Sequence, residues 1–303
     1  MSHTTIKQLI SQLEQVLLGK PMQIKLAVAC ILAKGHLLIE DLPGMGKTSL
    51  SHGIATSLGM SYQRIQFTSD MLPADILGVS IFDQNLQKFE FHKGPIFNQM
   101  LLADEINRAS PKTQSALLEA MAEQQITQDG HTYPLPNPFF VIATQNPQDQ
   151  SGTFPLPESQ LDRFMMRISI GYPSAEAEMA MLKNQHHGHK RPPLKQCLTS
   201  AELMDLQAEV NQVSASDAVL KYLLALIDMS RQQNQASGLS PRASLALLQA
   251  AKAWAVIEQR NYLVPEDIQA VFHAVAEHRI SAHGQFQAKA LSDTLLASVN
   301  PIL

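Results

Sequence analysis

The stretch HLLIEDLPGMGKT, residues 36–48, decides how the rest of the chain is read. Its first five residues are a short apolar run of the kind that fills a buried strand. Gly44 and Gly46 sit in the loop that follows, and from Thr48 to Leu58 the pattern is helical. Strand, glycine-bearing turn and helix, in that order, form the context in which a phosphate-binding loop works. Glycines let successive N–H groups turn inward onto phosphate oxygens, and the helix adds its positive N-terminal end. Lys47 would reach the β- and γ-phosphates as a mobile point charge. The Thr48 hydroxyl would hold Mg²⁺. The candidate nucleotide-contacting set is Asp41, Pro43, Gly44, Met45, Gly46, Lys47, Thr48 and Ser49. The general pattern GxxxxGK[ST] has glycine where this chain has Asp41. A bare Gly-Lys-Thr also arises by chance in turns, but the flanking strand and helix favour the nucleotide reading.

Outward from the loop, short apolar strands alternate with helices. Residues 5–18 and 21–34 have helical spacing, the second opened by Pro21. SYQRIQF (61–67) alternates like a strand, and QMLLADE (99–105), PFFVIATQ (138–145) and RFMMRISI (163–170) read as further strands. PKTQSALLEAMAEQ (111–124) reads as a helix. Residues 68–96 look like an irregular insertion with a hairpin around Ile81 and Phe89–Phe91, and Asp129-Gly130 marks a second, tight hairpin. This alternation predicts an α/β fold with a central parallel sheet covered by helices on both faces. After Tyr172-Pro173 no convincing strand returns. Helical patterns follow near 200–212, 216–232, 241–258, 265–279 and 286–297, and HHGHKRPP (186–193) is the best linker candidate. The expected organisation is an α/β core at 1–173, a linker and connecting helix at 174–198, and a smaller all-helical lid domain at 199–303.

Composition narrows the function. A length of 303 residues suits roughly two domains at about 150 residues each. Apolar residues make up 45% of the chain, enough for a sizeable core. With 27 acidic and 23 basic residues, the net charge of −4 gives no global basic excess, which disfavours nucleic acid as a partner. Cys30 and Cys197 form no CxxC pair, so a disulfide framework or cysteine zinc site is not indicated. The longest strictly apolar run, Leu26 to Ala33, is far short of the roughly 20 residues that cross a bilayer. Polar residues stand where an N-terminal signal peptide needs an apolar stretch. No membrane insertion and a cytoplasmic location are expected. His186, His187 and His189 have no carboxylate or cysteine at a spacing that suits a metal. Lys190-Arg191 reads most simply as solvated linker.

A second acidic site completes the chemistry. MLLADE (100–105) ends a strand on Asp104-Glu105. ATP hydrolysis needs a carboxylate near Mg²⁺ and a group that positions or deprotonates the attacking water. Asp104 fits the first role, through a metal-bound water, and Glu105 the second. An isolated Asp-Glu is commonly a solvated turn, but paired with the phosphate loop it points to ATP and Mg²⁺ as cofactors. No NKxD-type segment supports guanine binding.

At this point the residues resemble a known family. IEDLPGMGKT (39–48), GPIFNQMLLADEINRASPKTQSALLEAMAE (94–123), FFVIATQNP (139–147), FPLPESQLDRF (154–164) and SPRASLALLQAA (240–251) are together similar to MoxR-family AAA+ ATPases. The likeness runs from about Leu18 to Ile280, and Asp41 is similar to what MoxR proteins carry at that place. The resemblance implies further roles. Asn146 matches sensor 1, whose amide hydrogen-bonds the γ-phosphate or attacking water; by itself it reads as a strand-end Asn before Pro147 making a turn. Arg163 matches the arginine finger that stabilises charge on a neighbouring subunit's ATP; alone it reads as a surface ion pair with Asp162. Arg242 matches sensor 2 in the lid; alone it reads as a solvated residue at a helix start. The catalytic candidates are therefore Glu105, Asn146, Arg163 and Arg242. The 68–96 insertion and 125–135 hairpin resemble the helix-2 insert and pre-sensor hairpin of this branch, although Phe82, Phe89 and Phe91 equally suit packing.

The leading expectation is an oligomeric, chaperone-like ATPase that remodels or activates a partner protein. The resemblance implies a homo-oligomer, a hexameric ring, and often a client with a von Willebrand A domain. A motor or chelatase-type ATPase subunit of the same branch is the alternative. A nucleotide-dependent scaffold with little hydrolysis is a third reading, and Glu105 argues against it.

Overall fold

Two helices precede the phosphate loop. α1 spans Ser2–Val16 and α2 Pro21–Leu32, with Pro21 in the first turn, where its missing N–H costs nothing. The computed structural model describes residues 2–147, 152–186, 193–232, 238–280 and 290–301. The linker expected at 186–193, with its histidines and Lys190-Arg191, lies outside the described residues except at its two ends. β1 is Leu37–Glu40, and α3, Lys47–Ser57, starts directly from the loop. β2, Tyr62–Gln66, follows. The insertion holds a short helix α4, Pro73–Leu77, and a hairpin of β3, Gly78–Asp83, with β4, Lys88–Lys93. The sequence pattern missed α4. It is opened by Pro73, and the Asp75 carboxylate accepts the Leu72 N–H at 2.8 Å.

β5 is Met100–Asp104 and α5 Pro111–Glu123. β6, Gln125–Gln128, and β7, His131–Pro134, pair across Asp129-Gly130. Both turn residues have positive φ, 52° and 77°, as the twist of a two-residue hairpin turn requires. β8 is Phe140–Gln145, α6 the short Glu158–Leu161, and β9 Met166–Ile168. The chain then continues as α7, Ala175–His186, α8, Ser200–Gln212, α9, Asp217–Gln232, α10, Pro241–Ile257, α11, Pro265–Ile280, and α12, Leu291–Ser298.

Five strands form the central sheet in the order β2-β5-β8-β1-β9. β2 pairs parallel with β5, and β5 with β8; the register sets Gln66 opposite Asp104 and Ala103 opposite Ala143. β5 is buried along its whole length, and β8 everywhere but its last residue, as expected for parallel strands covered on both faces. Strand expectations were longer than the strands. Within RFMMRISI the strand is Met166–Ile168: side chains of α11 take the carbonyls before it, and the Asp41 carboxylate takes the Ile170 N–H after it. Arg279 donates to the carbonyls of Phe164 and Met165, and His278 Nε2 lies 3.2 Å from that of Phe164.

By packing, one unit comprises Leu38–Arg163 and Ser169–Ser200. The other comprises Met1–Leu37, Phe164–Ile168 and Ala201–Leu303, in which α2 packs on α10 and α10 on α11. Among the described residues no helix is long and apolar enough to cross a membrane, and no cluster of three metal-ligating side chains occurs.

His278 is buried, and its pKa is held well below the ordinary value, by desolvation first and then by the positive charges of Arg279 and Arg167. A folded-state pKa below the unfolded value means that the unfolded chain binds the extra proton. The stability contribution is therefore full above about pH 6.5 and is lost as the pH falls below it. Chemical denaturation of the wild type and of His278→Gln between pH 7.5 and 5 should show a shallower loss of stability in the variant.

Candidate active site

Three parallel strands end side by side and deliver the functional residues. β1 runs out into the phosphate loop, β8 into Asn146 and β5 into Asp104-Glu105, with β8 between the other two. The loop hangs from β8 as well, since the Asp41 N–H donates to the Gln145 carbonyl at 3.1 Å. Gly44 and Gly46 have φ of 84° and 91°, left-handed backbone that glycine adopts without strain. Gly46 is the N-cap of α3, so the first free N–H groups of that helix face the loop.

Lys47 is buried, and its ammonium donates to the Asp41 carbonyl at 2.7 Å. Burial pulls its pKa below the usual lysine range, while the carboxylates of Asp104, Asp41 and Glu105 pull the other way. Thr48 and Ser49 are exposed on the first turn of α3; Pro43 is exposed and Met45 half-buried. The Asp41 carboxylate turns away from the loop. One oxygen accepts the N–H groups of Ile170 and Gly171 at 2.6 and 2.7 Å and the Ser169 hydroxyl at 3.2 Å. The other accepts the Leu42 N–H at 3.0 Å. Asp41 thus contributes its backbone to the loop, and its charge to the strip at 169–171.

Asp104 and Glu105 are joined through a residue that sequence reasoning missed. The fully buried Thr144, on β8, donates its hydroxyl to one Asp104 oxygen at 2.5 Å. The same hydroxyl accepts the Glu105 N–H at 2.9 Å. Glu105 has φ 56° and ψ 50°, a left-handed conformation that costs a non-glycine residue about 1–2 kcal/mol. The remaining Asp104 oxygen receives Arg64 Nε at 3.1 Å and Nη2 at 2.7 Å. Gln66 Nε2 donates to Glu105 Oε2 at 2.8 Å, and Arg108 Nε lies 2.7 Å from the same oxygen. Arg64 and Gln66 were visible in SYQRIQF as alternate residues on one strand face. Their role required knowing that β2 lies next to β5.

Asn146 is half-buried at the end of β8. Arg163 donates to the Leu118 carbonyl on α5 at 2.7 Å, in the same unit as the phosphate loop, Asp104, Glu105 and Asn146. Arg242 is exposed at the second residue of α10, in the other unit.

This geometry agrees with what comparison finds. Residues 36–166 match the model of the ATPase family associated with various cellular activities (AAA), and residues 228–298 that of the AAA lid domain. Chaperone MoxR1 of Mycobacterium tuberculosis is 37% identical, over 91% of this chain and 75% of its own. The chain belongs to the MoxR family of AAA+ ATPases. YeaC of Bacillus subtilis, an uncharacterized protein, is 43% identical over 98% of this chain and 95% of its own. A crystal structure from Cytophaga hutchinsonii, assigned as an ATPase, superposes with a TM-score of 0.89 at 35% identity, covering 99% of this chain and 95% of that one. As a MoxR-family protein the chain binds nucleotide and hydrolyses ATP, and AAA+ proteins of this kind are typically oligomeric.

Thr144→Val keeps the shape of the side chain but removes both hydrogen bonds. Leaving the buried Asp104 oxygen unpaired costs about 1–3 kcal/mol, and the part-buried Glu105 N–H adds less. Denaturant titration should show a fall of that size for Val and a smaller one for Thr144→Ser.

Proposed function

We propose that the phosphate loop, Asp104 and Glu105 form one Mg·ATP site, completed by an arginine from a neighbouring subunit. The observation that carries this reading is the strand order: loop, Asn146 and the two acids leave three adjacent strands at one edge of the sheet. The residues suit the ligands. Thr48 and Asp104 offer hard oxygen donors of the kind Mg²⁺ takes. A Cβ added at Gly44 would meet nothing within 4 Å, so the loop leaves open space that an anion can use. When bound, Mg²⁺ supplies charge neutralisation at the β- and γ-oxygens.

The chain's own groups do the rest. Backbone N–H groups over 44–48 and the Lys47 ammonium bind the phosphates, with Pro43, Met45 and Ser49 shaping the loop. Glu105 takes a proton from the attacking water, and Asn146 orients that water or the γ-phosphate. Arg163 stabilises the charge that develops on the phosphoryl group of the adjoining protomer. Arg242 reports nucleotide occupancy to the lid. By role, the core is 1–173 and the lid 199–303, joined by 174–198, a division that differs from the one by packing. The output is chaperone-like remodelling or activation of a protein client, with a hexameric homo-oligomer, a client bearing a von Willebrand A domain and a cytoplasmic setting as the working picture. The chaperone naming of the Mycobacterium tuberculosis relative supports that direction.

Glu105→Gln keeps the size of the side chain but cannot accept the proton. ATP affinity should stay near wild type while turnover falls by roughly 10²–10⁴-fold; equilibrium binding and single-turnover assays separate the two. Arg163→Ala should lose about 10³-fold in turnover with binding retained. Mixing Arg163→Ala with Lys47→Ala should restore activity, because an intact finger then meets an intact loop across one interface. Two inactive proteins that stay inactive when mixed, with a wild-type rate per protomer that is flat on dilution, would place the finger within its own chain.

A further inference from the structure

The reading above leaves Arg64 without a role, yet its guanidinium makes three hydrogen bonds beside the acids. It lies on β2, two residues before Gln66, and both side chains point to the same face of the strand. Nε and Nη2 both reach Asp104 Oδ2, at 3.1 and 2.7 Å. Nη2 also donates to Gln66 Oε1 at 3.1 Å. That contact takes up the acceptor end of the amide and leaves Nε2 for Glu105. One cation therefore touches the proposed metal carboxylate directly and sets which face of Gln66 meets the proposed base.

The two ends of this pair sit in different surroundings. The Arg64 side chain is 48% exposed and that of Asp104 only 11%. A nearly buried carboxylate needs a partner, whereas a half-exposed guanidinium can leave for water at little cost. Thr144 already fills one Asp104 oxygen, so Arg64 and a metal compete for the charge of the other.

We propose that Arg64 is a positioning residue that serves as a built-in counter-ion for Asp104. It lets nucleotide enter the site ahead of its metal and reduces the affinity gained when the metal arrives. This inference rests on the Mg·ATP reading of the site. Its sign follows from electrostatics. Without Arg64, metal-free nucleotide faces an uncompensated carboxylate and binds more weakly. Nucleotide carrying Mg²⁺ meets the same carboxylate as an unopposed partner and binds as well or better.

Binding of a fluorescent ATP analogue to the full chain, in excess Mg²⁺ and in excess EDTA, reads this directly and requires no turnover. The quantity of interest is the ratio of the two dissociation constants, metal-free over metal-bound. Arg64→Met keeps the aliphatic stem and removes the charge, and its ratio should exceed the wild-type value by roughly tenfold, a factor equivalent to about 1.4 kcal/mol. Arg64→Lys restores the charge and should return the ratio toward wild type. An Arg64→Met ratio equal to wild type, with binding still abolished by Lys47→Ala, overturns the counter-ion role and leaves the site reading standing. Binding that is indifferent to Lys47→Ala overturns the site itself, and the counter-ion role with it.

Discussion

The hydroxyl of Thr144 ties the ends of the central strands together. It donates to Asp104 and accepts from the Glu105 backbone at once, so one buried oxygen fixes both acids relative to β8. This works only because β8 lies between the strand that carries the acids and the strand that carries the loop. A side chain on the middle strand can then reach across to one neighbour, while the middle strand's backbone holds the other. The Asp41 N–H bonded to the Gln145 carbonyl is that second tie. Sheet order thus places the loop and the two acids beside one another.

Each cation named at this edge lies against an oxygen: Lys47 on the Asp41 carbonyl, Arg64 on the Asp104 carboxylate and Arg108 on that of Glu105. Glu105 bears the local strain, since its left-handed backbone is otherwise unfavourable for a glutamate. The hydrogen bond from its N–H to Thr144 offsets part of that cost. Strain and satisfaction meet at one residue, which keeps the Glu105 side chain directed differently from that of Asp104.

Much of this was legible in the sequence. The apolar runs at 36–40, 99–105 and 138–145 appear as β1, β5 and β8, because a strand buried on both faces has no alternation to confuse. Asp129-Gly130 specifies its own hairpin through the φ values it must adopt. Partners set by sheet order were hidden. Nothing local tells that Arg64 and Gln66 will lie beside residues about forty positions later, or that Thr144 will be spent on an acid of another strand. The start of RFMMRISI was hidden for a related reason: α11, more than a hundred residues on, takes the Phe164 and Met165 carbonyls. The family resemblance named Asn146, Arg163 and Arg242, which composition and spacing alone would have left as a turn, an ion pair and a solvated helix start.

Asp41 shows how an anion-binding loop tolerates a negative residue. Its carboxylate is used up by four donors on its own chain, three of them from the 169–171 strip. Those donors turn the carboxylate away from the loop, and the charge that still reaches it acts on the Lys47 ammonium. The same letter in a chain that offered no such strip would repel the ligand it is meant to hold. A database search that admits aspartate at the head of this motif should therefore also demand, downstream of the last sheet strand, a short run able to turn consecutive amides back toward it.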